Sequence, residues 1–352
     1  MRFRRFATLS AAPLVLIGCV RCQTAPAASG GAVIMSYNLQ TLFDPVDQGG
    51  EYEEFRVATG AWSEALYRTR VEALASSILA SGIPGSRDGR PDVVVVQEAE
   101  NARVLRDLAE AAGGYKYIAS SPAEDASLGC GILSRFPFAA LKAHRVRAPD
   151  DGPSSVPRFM LEAELDADGR RLVVIAAHLK SKLGGAAETE PERRAAAAFV
   201  SALVAARLAS APSLAVIVAG DFNENPDEHD RVGRAYPTAL MPPDSGPGSW
   251  LLIAGDKGSA TSAGGPPVLY CPWEEAGGYS YRYRGSEERI DQLLLSAGTV
   301  AGDDCPFRFE AFSAVPPEFI VDPEGSPLGW NARTGSGYSD HLPIRVRLAF
   351  SP

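Results

Sequence analysis

The sequence contains few of the residues that build zinc sites, disulfide frameworks or broad basic surfaces. Its 352 residues include five cysteines and four histidines, and their spacing beyond the N-terminal region is not typical of structural zinc. The formal net charge is −9, which argues against an extended basic surface for gripping nucleic acid. A nuclease is still compatible with this charge if a local cleft or a bound cation attracts the phosphate.

The chain also lacks any long apolar run beyond its first residues. Three arginines lie within the first five positions, and an apolar run follows over residues 6–17. This run is shorter than the roughly 20 residues that span a bilayer, and the pattern is typical of an export signal. It ends near Cys19, where the sequence resembles the bacterial lipobox, whose cysteine becomes the lipidated mature N-terminus. The alternative is an ordinary cleaved signal peptide.

We therefore predict a lipoprotein signal peptide over residues 1–18 and a lipidated cysteine with a flexible tether over residues 19–31. The protein is expected to be exported and anchored through lipid at Cys19 to a bacterial cell membrane, in the periplasm or at the cell surface. An exported setting lets disulfides form. Cys271 and Cys305 each precede a proline in loop-like sequence and are the best candidates for a disulfide, although sequence alone does not establish connectivity.

With 45% hydrophobic residues, the chain can bury a large core. Its length suits one large α/β domain or two smaller ones, but no strong linker divides residues 32–352, so we predict a single domain. Apolar strands alternate with amphipathic stretches, which favours an α/β sandwich with outer helices. The predicted strands are residues 33–37, 92–97, 132–133, 159–165, 172–177, 214–219, 290–296 and 344–350. The predicted helices are residues 63–79, 101–112 and 189–208, and residues 224–288 are interpreted as long loops.

Polar side chains follow several of the apolar strands directly. Glu98 comes after four consecutive valines and a glutamine, and Asn38 ends the first strand. Asp221 and Asn223 follow another strand and would share one face, because side chains two positions apart in an extended segment point the same way. Carboxylate and amide oxygens suit a divalent cation, which can offset phosphate charge and stabilise a leaving oxygen. Taken singly, each of these residues is also explained as an ordinary turn or surface residue.

Histidines and aspartates occur in the same setting. His178 ends an apolar strand, and Lys180 follows two positions later. Asp291 is flanked by apolar residues, where an acid is costly to bury unless it is paired. His341, preceded by Asp340, is its natural partner, because an aspartate can fix the tautomer of a histidine that acts as a base. The alternative for Asp291 is an inward carboxylate that accepts from backbone donors.

Taken together, these segments resemble the endonuclease/exonuclease/phosphatase superfamily, also called deoxyribonuclease I-like. They occur in the order of that family's motifs and run from residue 35 to residue 343. The matching segments are Met-Ser-Tyr-Asn38-Leu, Val-Val-Gln-Glu98, Gly131-Ile-Leu-Ser-Arg135-Phe-Pro, Ala177-His178-Leu-Lys, Gly220-Asp221-Phe-Asn223, Arg289-Ile-Asp291 and Ser339-Asp340-His341-Leu-Pro343. Residues 38–44 and 98–101 are similar to the bacterial exported branch of the family.

The resemblance implies a four-layer αββα sandwich, of α/β (α+β) class, with two stacked mixed sheets between outer helices and a site at the sheet rim. It also implies a metal, Mg²⁺ or Mn²⁺ with Ca²⁺ as a further candidate. The metal would be held chiefly by Glu98, with Asn38 and Asp340 nearby. Asp221 and Asn223 would position the nucleophilic water and the phosphate.

The resemblance further implies roles for the histidines and for two basic residues. The pair of Asp291 and His341 would orient or deprotonate water and polarise the phosphate. His178 would hydrogen-bond a phosphate oxygen or assist the leaving group, and the division of roles between the two histidines stays open. Lys180 and Arg158 are assigned to substrate binding; the alternative for Arg158 is an exposed charge at a strand end.

The predicted activity is that of a metal-dependent phosphoesterase, foremost an exported nuclease that cleaves DNA or RNA. One alternative is a phosphatase or phosphodiesterase acting on phospholipid headgroups or small phosphoesters. Another is a non-catalytic surface-binding lipoprotein that keeps the fold. No obligate protein partner is evident, and a monomer is expected. Aromatic residues in the loop-rich segment are candidates for the substrate entrance, although packing is the favoured interpretation; they are Trp250, Trp273, Tyr279, Tyr281 and Tyr283.

Overall fold

The computed structural model describes residues 30–81, 87–122, 128–146, 158–262, 265–302 and 304–351. The predicted signal peptide, Cys19 and most of the predicted tether lie outside these residues. The described part contains sixteen strands and seven α-helices. None of the described helices combines the length and the apolar character needed to cross a membrane.

The elements follow one another along the whole described chain. The strands are β1 (Gly31–Leu42), β2 (Val93–Ala99), β3 (Tyr117–Ser120), β4 (Gly129–Ser134), β5 (Phe138–Val146), β6 (Arg158–Ala167), β7 (Arg170–His178), β8 (Ala215–Asp221), β9 (Leu240–Met241), β10 (Leu251–Ala254), β11 (Val268–Tyr270), β12 (Tyr281–Tyr283), β13 (Ser286–Glu288), β14 (Asp291–Leu295), β15 (Phe307–Ser313) and β16 (Ile344–Phe350). The helices are α1 (Glu64–Ala80), α2 (Ala102–Ala111), α3 (Ala186–Ser210), α4 (Glu228–Arg231), α5 (Lys257–Ala260), α6 (Trp273–Ala276) and α7 (Gly298–Ala301).

A six-stranded sheet forms one half of the sandwich, in the order β15-β16-β1-β2-β4-β3. β1 runs parallel to β2 and antiparallel to β16. Alternate side chains of β2 point to opposite faces: Val93 and Val95 enter the core that contains the second sheet, whereas Val94 and Val96 pack in the cluster that contains α1 and α2. The unbroken valine run therefore reflects a strand that is buried on both faces.

An eight-stranded sheet forms the other half, in the order β5-β6-β7-β8-β14-β11-β10-β9. Helix α3 covers this sheet: the ring of Phe199 lies 5.3 Å from that of His144 on β5, and Arg207 pairs with Glu162 on β6. Across the core, β2 and β4 contact β7. Two stacked mixed sheets thus lie between outer helices, which confirms the predicted sandwich.

Helices α1 and α2 each begin directly after a residue whose side chain caps the helix. Ser63 precedes α1 and accepts a hydrogen bond from Leu66 N at 3.3 Å. Asn101 precedes α2, and its Oδ1 accepts from Arg103 N at 2.8 Å and from Val104 N at 3.2 Å. The prediction of long loops over residues 224–288 was wrong in part, because this segment carries β9 to β13 and α4 to α6. Each of these elements has only two to four residues, too few to show a periodicity.

The candidate disulfide between Cys271 and Cys305 is not formed. Both residues, like Cys130, are free and buried. The Cys271 thiol faces β14 and donates to Gln292 Oε1 at 3.7 Å, and burial raises its pKa to about 12. Cys305 instead lies against Gly298 of α7. Each thiol is therefore enclosed by a different part of the fold. The Cys-Pro sequence is the same at both positions, so it does not show where each cysteine packs.

Candidate active site

Three neighbouring strands of the eight-stranded sheet carry a row of polar residues at one edge, where β7 and β8 end and the antiparallel β14 begins. In the strand register His178 of β7 stands beside Asp221 of β8, which stands beside Asp291 of β14. His178 Nε2 lies 3.6 Å from Asp221 Oδ2. Gly220 lets the strands approach here, because its φ is +148° and a Cβ at this position would lie 1.8 Å from Ala177 O. The sequence Gly-Asp thus places the carboxylate directly against the histidine strand.

The six-stranded sheet contributes Asn38 and Glu98 to the same place. Asn38 Nδ2 donates to Glu98 Oε1 at 3.0 Å and to Asp221 Oδ2 at 3.0 Å. Thr41 Oγ1 donates to Glu98 Oε2 at 3.1 Å, and Asn38 Oδ1 accepts from Gln40 N at 2.9 Å. The buried amide of Asn38 therefore joins carboxylates from the two sheets and orients both of them.

The backbone around these residues is locally strained. Among the described residues seven non-glycine residues have positive φ, and four of these belong to the site: Gln40 (49°), Thr41 (68°), Glu98 (64°) and Asn223 (53°). Glu98 lies where the pairing of β2 with β4 shifts register, so a bulge turns its side chain toward the site. Such conformations cost free energy and occur most often at functional sites.

Gln40 connects the end of β1 to the segment that carries His341. Its Oε1 accepts from Trp330 N at 2.7 Å and from Asp340 N at 3.0 Å. Beneath this turn the buried Arg70 donates from Nη2 to the carbonyls of Leu39 and Gln40. The positions of Thr41 and Asp340 thus depend on one glutamine and one buried arginine.

His341 is held between two aspartates. Its Nδ1 lies 2.8 Å from Asp291 Oδ2, and its Nε2 lies 3.9 Å from Asp221 Oδ2. Ser339 Oγ accepts from His341 N at 3.1 Å and donates to Asn38 O at 2.7 Å. The short Nδ1 contact directs a proton toward Asp291 and leaves Nε2 to face the site.

The electrostatics of the site follow from burial of several acids together. Burial raises the pKa of Asp221 to about 7, and the Asp291 charge adds to this effect. Burial also raises the pKa of Asp340, and Glu98 contributes in the same direction. For His341 burial lowers the pKa, but Asp291 and its hydrogen bond outweigh burial and hold the pKa well above its ordinary value. The site is thus rich in carboxylate oxygens, and a bound cation would stabilise their charged form.

The donor set fits a divalent metal. Ligand atoms of Glu98, His178 and Asp221 lie within 4.8 Å of one another, as do those of Asp221, Asp291 and His341. Asp291 Oδ1 is buried with no hydrogen-bond partner among the described residues. Hard carboxylate oxygens are the ligands that Mg²⁺ and Mn²⁺ prefer.

The other predicted site residues have more peripheral contacts. Asn223 N donates to Asp221 Oδ1 at 2.8 Å, and its Nδ2 donates to Leu179 O at 3.2 Å, so its amide fixes the end of β7. Lys180 is half-buried, and its carbonyl accepts from Arg193 Nη1 at 3.2 Å. Arg158 begins β6, but its side chain lies outside the described part of the structure.

Sequence reasoning missed Gln40, Thr41, Ser339 and the supporting Arg70. Gln40 and Thr41 lie inside the motif that follows Asn38, and Ser339 lies next to Asp340. Their closeness in sequence to motif residues is the feature that could have identified them as part of the site. Arg70 lies on α1 with no motif around it. Its role depends on a contact across 30 positions of sequence, which composition and periodicity do not show.

The sequence model of the endonuclease/exonuclease/phosphatase family matches residues 33–234, more than half of the chain. The protein belongs to this family. Members of the endonuclease/exonuclease/phosphatase family hydrolyse phosphate esters with the help of divalent metals. No curated protein matches the chain at the level of sequence.

Solved structures of the endonuclease/exonuclease/phosphatase family share the fold. TDP2 from Caenorhabditis elegans is 17% identical, with a TM-score of 0.53, over 91% of this chain and 74% of TDP2. A mannosyl-6-phosphatase from Bacteroides thetaiotaomicron is 16% identical, with a TM-score of 0.54, over 91% of this chain and 100% of its own. A further family protein from the same bacterium is 15% identical, with a TM-score of 0.55, over 91% of this chain and 95% of its own. At these identities the likeness establishes the fold alone.

Proposed function

We propose that this protein is an exported, divalent-metal-dependent hydrolase of phosphate esters. The observation that carries the proposal is the amide of Asn38, whose Nδ2 lies 3.0 Å from both Glu98 Oε1 and Asp221 Oδ2. This contact brings a candidate metal ligand from one sheet and a candidate base from the other to one place. A non-catalytic binding protein would have no need to keep these buried acids together.

A divalent cation, when bound, would supply charge compensation for the phosphate and make water a better nucleophile. Glu98 is the central ligand of our proposal, with Asp340 beside it, and Asn38 orients Glu98. Asp221 Oδ2 is the candidate that accepts the proton of the attacking water, because burial and Asp291 raise its pKa to about 7. A base with a pKa near the working pH is the most effective one.

The histidines would act on the phosphate from the other side. Asp291 holds the proton on Nδ1 of His341, so the protonated ring presents Nε2–H to a phosphate oxygen and stabilises developing charge there. His178 Nε2, which is 3.6 Å from Asp221 Oδ2, is placed to donate to a second phosphate oxygen or to the leaving oxygen. Lys180 is retained as a candidate contact to the substrate.

The charges around the site favour a compact phosphoester as substrate. Lys182 pairs with Glu228 at 2.6 Å, Arg231 with Glu288 at 3.1 Å, and Arg282 with Glu287 at 3.0 Å. A long polynucleotide requires several unpaired cations along its path, and these pairs leave less positive charge for one. We therefore place a phosphatase or phosphodiesterase acting on a small phosphoester or a lipid headgroup ahead of a nuclease.

A nuclease acting on DNA or RNA is the second candidate function. The observation that favours it is the side chain of Tyr283, which is 52% exposed and follows Tyr281 by two positions in β12. An exposed aromatic ring on this strand is a surface on which a base can stack.

A substrate panel tests both functions. The purified protein would be supplied with Mg²⁺ or Mn²⁺ and tested on p-nitrophenyl phosphate, bis-p-nitrophenyl phosphate, phospholipid vesicles, plasmid DNA and RNA. Glu98→Gln and His341→Gln are expected to lose the activity, whereas the matched controls Glu72→Gln and His229→Gln should keep it. Activity that survives both site substitutions would refute the site, and no hydrolysis of any substrate would favour the binding protein instead.

A further inference from the structure

Tyr281 is fixed beside the candidate site by a short hairpin. It begins β12, which pairs with β13 from Tyr281–Glu288 to Tyr283–Ser286. Arg284 and Gly285 form the turn with φ values of 51° and 88°, the conformation of a tight two-residue hairpin. At the hairpin base Ser280 O accepts from Leu342 N at 2.7 Å, and Ser280 Oγ accepts from Asp291 N at 3.1 Å. The hairpin is thus joined to both segments that carry the His341–Asp291 pair.

The ring of Tyr281 packs on the ring of His341. The two ring centroids are 4.7 Å apart with an interplanar angle of 33°, and the two residues also form an isolated antiparallel bridge. His341 retains only 6% exposure. Asp291 fixes one edge of the imidazole and Tyr281 covers one face, so rotation of the ring is restrained in both directions.

The hydroxyl of Tyr281 lies close enough to the acidic residues of the site for their charges to act on it. Burial raises the pKa of Tyr281 to about 12, and the charges of Asp340, Asp221 and Glu98 act in the same direction. The phenol therefore keeps its proton at any ordinary pH. Within the described part of the chain, this side chain contacts the protein through its ring, and Oη makes no hydrogen bond to a protein acceptor.

A neutral donor is well suited to this position. A lysine or arginine beside three carboxylates would pair with them and be held away from the substrate. The Tyr281 O–H forms no hydrogen bond to these carboxylates, so it is available to an incoming phosphate oxygen, a charged acceptor that forms a strong hydrogen bond.

We propose that Tyr281 donates a hydrogen bond from Oη to the substrate phosphate and holds His341 in place with its ring. This inference rests on the proposed phosphoester hydrolysis and adds a substrate contact that the family motifs do not include. The hydroxyl and the ring serve separable purposes, so different substitutions distinguish them.

The test compares three variants of the full protein. Tyr281→Phe keeps the ring and removes the donor, Tyr281→Leu removes both, and the control Tyr117→Phe removes the hydroxyl of a half-buried tyrosine on the edge strand β3. For each we would measure kcat and KM on bis-p-nitrophenyl phosphate with Mn²⁺, the affinity for inorganic phosphate by calorimetry, and the unfolding midpoint.

Tyr281→Phe is expected to lose about 10- to 100-fold in kcat/KM, the usual effect of one hydrogen bond to a charged group, and to bind inorganic phosphate more weakly. Tyr281→Leu should lose a further ~10-fold in kcat, because His341 is no longer held. Tyr117→Phe should match the wild type. All variants should retain the wild-type unfolding midpoint within a few degrees, about the change that 1 kcal/mol produces.

Wild-type kcat/KM and phosphate affinity in Tyr281→Phe would overturn the hydrogen bond. An equal loss in Tyr117→Phe would show that the effect is not specific to the Tyr281 hydroxyl and would overturn its assignment. If Tyr281→Phe and Tyr281→Leu lose equally, the positioning part fails. These outcomes leave the proposed function intact when Glu98→Gln is inactive. Weaker phosphate binding in Tyr281→Phe without hydrolysis by the wild type would support the contact while refuting the activity. A wild type that neither hydrolyses nor binds phosphate would refute both.

Discussion

Asp221 and Asp291 are direct cross-strand partners on the antiparallel strands β8 and β14. Like charges in this arrangement are destabilising unless other groups offset them. Two groups do so here: Asn38 Nδ2 donates to Asp221, and His341 lies between the two acids, 2.8 Å from Asp291 Oδ2 and 3.9 Å from Asp221 Oδ2. The pairing of these two strands thus concentrates negative charge where a cation and a phosphate would meet.

Replacing Asn38 is expected to separate the two halves of the site. Asn38→Ala removes the donor shared by Glu98 and Asp221, and we expect about a 100-fold loss of kcat, the scale of losing one well-placed donor. Asn38→Asp should lose at least as much and should lower the unfolding midpoint without metal, because it adds a third carboxylate. Thermal unfolding with and without Mg²⁺ and steady-state kinetics measure both effects.

The control for the Asn38 variants is Asn331→Asp, whose side-chain oxygen accepts from backbone N–H groups in an exposed turn. An aspartate can make the same bonds, so activity and stability should stay at the wild-type level. If Asn38→Ala behaved like this control, the amide would not be what organises the site.

Gln40 should matter for both stability and activity although it is not an acid or a base. Gln40→Ala leaves the N–H groups of Trp330 and Asp340 without their acceptor, which should destabilise the protein by about 1–3 kcal/mol. The loss of kcat should be about 10-fold, since Asp340 is displaced. Urea unfolding and kinetics provide the two measurements. Gln40→Glu keeps an acceptor for both N–H groups and should retain more stability than Gln40→Ala; equal stability of the two variants would contradict the role of Oε1.

The buried acid Glu224, which follows Asn223 in the sequence, predicts how the free energy of unfolding depends on pH. Glu224 Oε1 accepts from Arg193 Nε at 2.9 Å, and Oε2 accepts from Leu240 N at 3.2 Å. Burial, with the hydrogen bond and charge of Glu190, holds the pKa of Glu224 well above its usual range. The folded state therefore binds this proton more tightly than the unfolded chain does. The resulting stability is fully present below the unfolded pKa of ~4.3 and is lost as the pH rises toward the folded pKa.

Glu224→Gln should remove this dependence, because an amide does not titrate. Between about pH 5 and pH 8 the wild type should lose stability and the variant should not. The free energy of unfolding of the variant minus that of the wild type should therefore rise with pH over this range. Urea titrations across that range test it, with the exposed Glu110→Gln as control. A difference that stays constant with pH would show that Glu224 is ionised in the folded protein.

The lipid anchor is a separate prediction about residues outside the described structure. A fatty-acid label should be incorporated into the wild-type protein in a bacterial host and be absent from Cys19→Ala, because no other cysteine follows the lipobox pattern. Cys22→Ala is the matched control and should be labelled normally. Label retained in Cys19→Ala would show that the N-terminal segment is an ordinary signal peptide.

The sequence predicts the frame of the site better than its fine geometry. Buried strands have apolar runs that end abruptly, so His178, Glu98 and Asp221 could be assigned to strand ends, where the structure has them. The positive φ of Glu98 and the turn at Gln40 could not be predicted. A run of β-branched residues followed by polar residues has the same sequence pattern whether or not the strand contains a bulge.

Other elements were missed for related reasons. β5 lies at a sheet edge and exposes most of its residues, so it lacks the apolar alternation of a half-buried strand. The hairpin that carries Tyr281 is only three residues long on each side. Its position depends on contacts with His341 and Asp291, which are distant in sequence, and local pattern does not encode them.

The most direct test of the central claim is the rate of p-nitrophenol release from bis-p-nitrophenyl phosphate at increasing Mn²⁺ concentration, for the wild type and for Glu98→Gln. We predict a rate that rises with Mn²⁺ and saturates in the wild type, disappears with EDTA, and is at least about 100-fold lower in Glu98→Gln at every Mn²⁺ concentration. Equal rates in the two proteins, or a wild-type rate that EDTA leaves unchanged, would contradict a metal-dependent phosphoesterase centred on Glu98.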